Sequence, residues 1–339
     1  MPEIKTLNDV ASIAKVSPST VSRILNGSAM VAKDKRERVL KAIELLNYRP
    51  NVIAQGLARG QSMTIGVVTQ AISSPFYGEA LAGVEEGLEG SGYHAIFVSG
   101  HWRVDEVREA VGMLTSRRVD AIILTGSSIP DHELQQLAQT LPLVIVGRMI
   151  PGLEAYCISV NNTTSGALGI QHLLSLGHRR IAYISGTGTI QADAGERFEA
   201  YRQTLEGAGV AFDPNLVVEG DYQERSGLFG IETLFARGAM FTAVACANDQ
   251  SAYGARLALY RRGIRVPDDV SLIGFDDLQS SKYTTPPLTT VRQPIVEMGR
   301  IASKMTLSLL RGISPTNPID VHAELVLRES TAMLRGTRA

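Results

Sequence analysis

The first fifty residues carry apolar side chains at helical spacing, which predicts short amphipathic helices. Thr6 and Asp9 have the spacing of a capping box, and the apolar residues that follow recur at helical intervals, so a first helix is predicted over 7–14. After a short turn, Ser17 is a favoured N-cap residue, and the proline behind it suits the first helical position. A second helix is therefore predicted over 18–26, where an Asn-Gly pair ends it.

A third helix is predicted over 33–47, with apolar residues on one face and charged residues on the other. Two helices joined by a tight turn form a helix-turn-helix, which places the start of its second helix in the major groove of DNA. The residues at that start are Pro18, Ser19, Ser22 and Arg23. Arg23 would either read a base or contact a phosphate, and a phosphate contact carries no sequence information.

Beyond residue 60 the pattern changes to continuous apolar runs separated by helical stretches. The runs lie at 65–68, 93–98, 120–124, 143–146, 181–184, 242–246 and 270–275. Such runs predict parallel sheets covered by helices on both faces. About 270 residues are too many for one open sheet of usual size, so we expect two doubly wound α/β lobes. Ligands of such lobes bind in the cleft at the carboxyl ends of the strands.

Charge is distributed unevenly between these two parts. Hydrophobic residues make up 44% of the 339-residue chain and charged residues 20%, which excludes disorder as the main state. The first sixty residues hold ten Lys or Arg against five Asp or Glu, a net +5, so the remainder carries −6 to give −1 overall. A basic head on an acidic body predicts contact with a polyanion at one end only.

The sequence shows no targeting segment, and its two cysteines show no sign of chemical function. The chain has no apolar run of 18 or more residues, and its first residues lack the zones of a signal peptide, so we expect a cytoplasmic protein with no membrane partner. Cys157 and Cys246 have no metal-ligand spacing and lie in or beside apolar runs. We expect both to be small core residues and expect no metal.

Six segments of the chain form a recognisable set. In the head these are DVASIAKVSPSTVSRILNG (9–27) and RERVLKAIELLNYRPN (36–51). In the body they are LGHRRIAYISG (176–186), TAVACANDQSAYGA (242–255), RVPDDVSLIGFDD (265–277) and PPLTTVRQP (286–294). Together these segments resemble the lactose and galactose repressor family of bacterial transcription regulators. The resemblance covers residues 5 to 335 and is nearest to the galactose-repressor branch.

The resemblance implies a division of the chain. Residues 1–50 form the helix-turn-helix headpiece, 51–62 a hinge helix or linker, and 63–339 a body like that of periplasmic binding proteins, which binds the effector and dimerises. Its first lobe comprises about 63–160 and 293–320, and its second about 161–292 and 321–335.

The resemblance also implies the DNA contacts. The hinge segment folds on DNA, and Leu57 from each of two subunits wedges into the minor groove. Gly56 favours the alternative of a flexible tether, since glycine costs a helix about 1 kcal/mol relative to alanine. The partners implied are a palindromic double-stranded operator and a second copy of the chain. The residues implied to contact DNA are Thr6, Ser17, Pro18, Ser19, Thr20, Ser22, Arg23, Asn26, Tyr48, Asn51, Gln55, Leu57 and Ala58.

A small-molecule effector is implied between the lobes. Sugars require aromatic faces and fixed polar groups, and the family lines its cleft with residues matching Phe76, Tyr77, Gln191, Asp193, Arg197, Tyr222, Asn248 and Asp276.

Five of these cleft residues have a structural alternative. Phe76 and Tyr77 would pack in the core, and Arg197 would form a surface ion pair. Asn248 would cap the following helix, as would Asp276. Trp102, not among the implied set, would lie either at the cleft mouth or packed at the surface.

A neutral sugar or glycoside is the expected effector, with no cofactor. The purine branch of the family carries an arginine where this chain has Gln191, which argues against a purine-like ligand. An acidic ligand would require surplus cations, and Arg197 is the one good candidate in the sequence.

Two other function classes are weighed against a regulator. A periplasmic sugar-binding protein that does not bind DNA would share the two-lobed body, but it would carry an export signal and lack a basic head, the reverse of what this sequence shows. An enzyme is not expected, because the sequence lacks G-x-S-x-G and phosphate-loop motifs and its six histidines are scattered.

Overall fold

The computed structural model describes residues 5–26, 31–48, 60–126, 129–187 and 192–334. These residues form two compact units, 1–62 and 63–339. The first unit contains α1 (Leu7–Ala14), α2 (Pro18–Asn26) and α3 (Lys33–Leu46), which confirms the three helices predicted from the sequence.

Local capping sets the helix boundaries of the headpiece. The backbone N–H of Thr6 donates to Asp9 Oδ2 at 2.7 Å, and the N–H of Asp9 donates to Thr6 Oγ1 at 3.4 Å, so the predicted capping box is confirmed. Lys15 ends α1 in the left-handed conformation, with φ 51°. Ser17 Oγ accepts the N–H of Thr20 at 3.3 Å at the start of α2. The three helices enclose a small core of Val10, Ala11, Ala14, Val21, Val39 and Ala42.

The second unit alternates strands and helices. Its elements are β1 (Thr64–Thr69), α4 (Pro75–Leu88), β2 (His94–Ser99), α5 (Val104–Ser116), β3 (Ala121–Thr125), α6 (Asp131–Ala138), β4 (Leu143–Val146), β5 (Cys157–Val160), α7 (Asn162–Ser175), β6 (Ile181–Ser185), α8 (Ala192–Gly207), β7 (Val217–Glu219), α9 (Glu224–Ala236), β8 (Ala243–Cys246), α10 (Asp249–Arg261), β9 (Ser271–Asp276), β10 (Thr289–Arg292), α11 (Ile295–Leu310), β11 (Ile319–Val321) and β12 (Glu324–Val326).

These strands form two six-stranded sheets, one in each lobe. The first has the order β11-β5-β4-β3-β1-β2, with parallel neighbours throughout. The second has the order β12-β10-β9-β8-β6-β7 and is parallel except where β12 pairs antiparallel with β10. Each sheet has buried apolar clusters on both faces, which confirms the predicted pair of doubly wound lobes.

The chain passes between the lobes three times. It leaves the first lobe after Val160, returns after Arg292, and leaves again after Val321. β11 thus extends the first sheet one residue beyond the boundary expected at 320. Cys157 and Cys246 are both buried in apolar clusters as free thiols, as predicted.

The buried side chain of His178 links the last described residues to the second lobe through hydrogen bonds. His178 Nδ1 lies 2.9 Å from Thr242 Oγ1, while Nε2 lies 3.0 Å from Ser271 Oγ and 3.1 Å from the Ala332 carbonyl. Burial lowers the pKa of His178 below its ordinary value of 6.5. The folded state therefore favours the neutral ring, whereas the unfolded chain binds a proton more readily.

This imbalance predicts a loss of stability in acid. As pH falls below about 6.5, protons bind the unfolded chain first, so wild type should lose more stability between about pH 7.5 and pH 5.5 than a His178→Gln variant, which cannot titrate there. Urea unfolding at both pH values measures the difference. An equal loss in both proteins would contradict the prediction.

Candidate functional site

The start of α2 presents a polar, exposed surface. Ser17, Pro18, Ser19 and Arg23 are exposed, while Val21 is turned into the core. The hydroxyl of Ser17 lies 2.8 Å from that of Ser19 and 2.9 Å from that of Thr20, so three hydroxyls cluster at the helix start. This surface combines short hydrogen-bonding groups with one cationic side chain, which is the chemistry that reads base edges in a major groove.

The other residues predicted to contact DNA have mixed placements. Thr6 is exposed, and its hydroxyl donates to Asp9 at 2.8 Å within the capping box. Ser22 and Tyr48 are half-buried, and Tyr48 packs against the headpiece core. Asn26 ends α2. Asn51, Gln55, Leu57 and Ala58, with the predicted hinge helix, lie outside the described residues.

The cleft between the lobes of the body contains two adjoining cavities, of about 210 and about 50 Å³. Seven of the eight predicted effector residues line them, and Gln191 lies outside the described residues. The seven are Phe76, Tyr77, Asp193, Arg197, Tyr222, Asn248 and Asp276.

Arg197 is buried at the centre of the cleft, so the alternative of a surface ion pair is wrong. Its Nε donates to Asn162 Oδ1 at 2.9 Å and its Nη1 donates to the Ala247 carbonyl at 3.0 Å. Its Nη2 lies 3.4 Å from Asp193 Oδ2, and the guanidinium carbon lies 4.0 Å from the centroid of the Phe275 ring. These contacts fix the guanidinium in one orientation, since its planar fork has several partners.

Tyr222 forms the wall of the cleft on the second lobe. Its hydroxyl donates to Asp193 Oδ2 at 3.2 Å, and its carbonyl accepts the Asn248 side-chain amide at 2.9 Å. The other end of that amide, Asn248 Oδ1, accepts the N–H of Ser251 at 3.0 Å. Asn248 therefore caps α10, as the structural alternative predicted, while also lining the cleft.

Asp276 ends β9 with φ 116° and is buried in the cleft wall. Its Oδ1 accepts the side-chain amide of Gln293 at 2.7 Å, and it caps none of the described helices. Burial is the main cause that raises the pKa of Asp276 well above its usual range, and the carboxyl of Asp249 adds to it, although Arg197 opposes the shift. A neutral carboxyl, which can donate as well as accept a hydrogen bond, is favoured.

Asp249 lies beneath this site and holds the loop that follows Asp276. Its Oδ2 accepts the backbone N–H of Leu278 at 2.9 Å and the hydroxyl of Ser281 at 2.5 Å, and its Oδ1 accepts Thr290 Oγ1 at 2.6 Å. Burial raises the pKa of Asp249 to about 7 against the effect of these hydrogen bonds.

The first lobe contributes an aromatic wall, which we define as Phe76, Tyr77 and Trp102. Tyr77 meets Phe76 edge to face with ring centroids 5.2 Å apart, and meets Trp102 at 5.7 Å. Phe76 also packs against the core of its lobe, so core packing and cleft lining coincide there. Burial, reinforced by the Asp193 carboxylate, raises the pKa of Tyr77 and of Tyr222, so both phenols remain protonated donors.

Sequence reasoning missed several polar residues of the cleft, among them Asn162, Gln293 and Arg148. Asn162 and Gln293 are buried and lie beside two of the passages between the lobes, where each bonds a predicted effector residue. Arg148 lines the larger cavity, which corrects the expectation that Arg197 is the one good cation there. Arg148 is paired with Asp131, so it adds no net charge. The sequence did offer one signal for Gln293, because this residue lies in PPLTTVRQP (286–294), one of the segments that resemble the family.

The described residues contain no group of three or more His, Cys, Asp or Glu that could hold a metal ion. None of their helices combines the length and apolarity that a membrane span requires.

Two family models match the chain. The model for bacterial regulatory proteins of the lacI family matches residues 6–51, and the model for a periplasmic binding protein-like domain matches residues 170–331. The HTH-type transcriptional regulator GalR of Escherichia coli (strain K12) is 38% identical over 305 residues, which cover 90% of this chain and 89% of GalR.

Solved structures agree with these matches. The Lac repressor dimer bound to operator and the anti-inducer ONPF aligns with TM-score 0.87 and 29% identity, covering 97% of this chain and 100% of that one. The CelR-cellobiose complex aligns with TM-score 0.73 and 31% identity, covering 96% and 99%. The chain therefore belongs to the LacI family of bacterial transcriptional regulators.

Proposed function

We propose that this chain is a dimeric, cytoplasmic repressor of carbohydrate-utilisation genes, and that a neutral sugar or glycoside bound between its lobes controls its binding to a palindromic operator. The proposal rests on one observation: the aromatic wall of the first lobe lines the same cleft as Arg197, Tyr222 and Asp276 of the second lobe. The similar CelR is solved with cellobiose, and the similar Lac repressor dimer with operator.

Charge in the cleft favours a neutral ligand. Arg197 is offset by Asp193, and Arg148 by Asp131. The raised pKa of Asp276 favours its uncharged form. Because no surplus positive charge is left among the described cleft residues, a carboxylate or phosphate would bind without a matched cation, whereas sugar hydroxyls find both donors and acceptors.

Dimerisation is proposed through the body, because a two-fold operator requires a two-fold protein. Helices α9 and α10 of the second lobe expose large apolar side chains, among them Phe229, Leu257 and Tyr260. Leu257 and Tyr260 lie three positions apart on α10 and so share one face. This surface is the proposed contact between subunits.

Control of DNA binding is proposed to act through the passages between the lobes. Asn162 and Gln293 lie beside two of them and bond to Arg197 and Asp276. A ligand that rearranges these bonds would alter lobe closure and hence the spacing of the two headpieces. A full reversal from 1:99 to 99:1 requires about 5.5 kcal/mol of differential affinity, which aromatic packing and several hydroxyl contacts can supply.

Selection from a library of palindromic duplexes tests the proposal directly. At moderate salt, the purified protein should enrich one palindrome over bulk competitor, and a bound sugar should change that affinity while being recovered unaltered. A sugar-binding protein without a regulatory role would show ligand binding and no preferred duplex. Turnover of the sugar would instead indicate an enzyme.

Arg23→Ala should weaken operator binding by about 1 to 3 kcal/mol and leave effector affinity unchanged. Arg23 is exposed on α2 and forms no hydrogen bond or ion pair with the described residues, so its removal should cost little stability. Fluorescence anisotropy with the operator and its single-base variants measures the effect. Base reading relaxes specificity at one position, whereas a phosphate contact weakens all duplexes alike. Wild-type operator affinity in the variant would mean that α2 is not the recognition helix.

A further inference from the structure

Trp102, the one tryptophan of the chain, lines the cleft between the lobes. Its half-buried ring lines both cavities, together with Asp193, Arg197 and Gln293. The ring therefore faces the same space as these polar groups. It contacts the ring of Tyr77 in an edge-to-face arrangement, with centroids 5.7 Å apart and planes inclined by 62°.

The backbone beneath Trp102 is held in a conformation that residues with side chains rarely adopt. His101 and Trp102 have φ angles of 47° and 62°, both in the left-handed region. The loop is fixed to the end of β1, because the N–H of Trp102 donates to Gln70 Oε1 at 3.0 Å and that of His101 donates to the Gln70 carbonyl at 2.8 Å. Such conformations persist where surrounding structure imposes them, and they cluster at ligand sites.

The indole of Trp102 retains unused binding capacity. None of the described residues accepts a hydrogen bond from its Nε1–H. An apolar ring face beside an unused donor matches the surface of a sugar, which has C–H groups on its ring face and hydroxyls around its rim.

We infer that Trp102 contacts the effector directly and helps to determine which sugar binds, an inference that rests on the function proposed for the cleft. Its ring packs against a C–H face of the sugar, and Nε1–H donates to a hydroxyl at the rim. A sugar with a hydroxyl projecting from the packed face cannot lie flat on the indole. Trp102 therefore favours sugars whose face toward the first lobe is free of hydroxyls.

The test begins with a panel of neutral sugars and glycosides, screened by thermal shift and measured by calorimetry. Because the chain has a single tryptophan, its emission and its quenching by acrylamide then report on Trp102 alone. A sugar that binds should shift the emission and lower the quenching constant. This measurement on the wild-type protein does not depend on the folding of any variant.

Two variants complete the design. Trp102→Leu should weaken binding of the best sugar by about tenfold, the upper end of what an aromatic contact contributes. The same variant should narrow the affinity ratio between that sugar and its epimers. Trp102→Phe, the matched control, keeps a ring without the N–H, so its affinity should lie between those of Trp102→Leu and wild type. Melting curves of both variants check that they are folded.

The outcomes separate this inference from the function on which it rests. If calorimetry detects no sugar or glycoside bound to the wild-type protein, the proposed function fails and this inference fails with it. If a sugar binds in the cleft but neither emission nor quenching changes, or if Trp102→Leu retains wild-type affinity and selectivity, the inference alone is overturned.

Discussion

Asp276→Ala should reduce effector affinity by about 100-fold and leave a protein whose operator binding no longer responds to the effector. The carboxyl is buried at the end of β9, where Gln293 donates to one of its oxygens at 2.7 Å. Replacing Asp276 by alanine would leave the side-chain amide of Gln293 and the hydroxyls of a bound sugar without the carboxyl as their hydrogen-bond partner. An unsatisfied buried polar group costs about 1 to 3 kcal/mol, and two such losses account for the expected change.

The protonation state of Asp276 gives this prediction a sharper form. Burial raises the pKa of Asp276 above its usual range, which shifts the carboxyl toward its uncharged form. Asp276→Asn, which is uncharged and of nearly the same shape, should therefore lose much less affinity than Asp276→Ala. If ionised Asp276 were required, the two variants would lose affinity equally.

Calorimetry measures the loss of effector affinity. Fluorescence anisotropy measures whether operator binding still responds to the effector. Operator affinity without effector serves as the internal control and should match wild type in each variant. A normal effector response in Asp276→Ala would show that the ligand does not bind against β9, and the assignment of the cleft would fail.

The headpiece and the long strands were predictable because their signals are local. The Thr6–Asp9 capping box and the Ser17 cap specify where α1 and α2 begin, and the structure has both. Continuous apolar runs likewise marked strands such as β4 and β9, which are buried throughout. Such features need no knowledge of distant parts of the chain.

The short strands could not be predicted in the same way. β10, β11 and β12 are three or four residues long and mix polar with apolar positions. They become strands because neighbours pair with them, as β5 pairs with β11 and β9 with β10. Tertiary pairing overrides weak local preference in such segments.

The same limit applies to the cleft. Residues at strand ends, such as Asp276, were predictable because parallel strands converge at their carboxyl ends. Asn162 and Gln293 line the cleft because they lie where the chain crosses from one lobe to the other. The positions of these crossings depend on how the short strands pair. The orientation of Trp102 depends on the left-handed backbone at His101, for which the sequence holds no glycine signal.

The second large effect concerns the contact between α9 and α10, where two glycines allow the backbones to touch. A Cβ on Gly254 would lie 1.7 Å from the carbonyl oxygen of Glu224, and one on Gly227 would lie 1.8 Å from that of Ser251. Both obstacles are backbone atoms, so no rotamer change relieves the clash. Both helices also pack against buried residues of the second lobe, which limits how far either can retreat.

Gly254→Ala should therefore destabilise the body by about 3 kcal/mol or more, equivalent to a drop of roughly 10 °C in Tm. Helix propensity alone predicts the opposite sign, because alanine favours a helix by about 1 kcal/mol over glycine. Gly112→Ala in α5 is the matched control, since its added methyl meets nothing within 4 Å and should stabilise slightly. Thermal and urea unfolding, followed by circular dichroism, compare the two variants with wild type. Helices α9 and α10 also expose the apolar side chains of the proposed subunit contact, so Gly254→Ala should weaken dimerisation as measured by sedimentation. If Gly254→Ala and Gly112→Ala were equally stable, the close packing of α9 against α10 would be refuted.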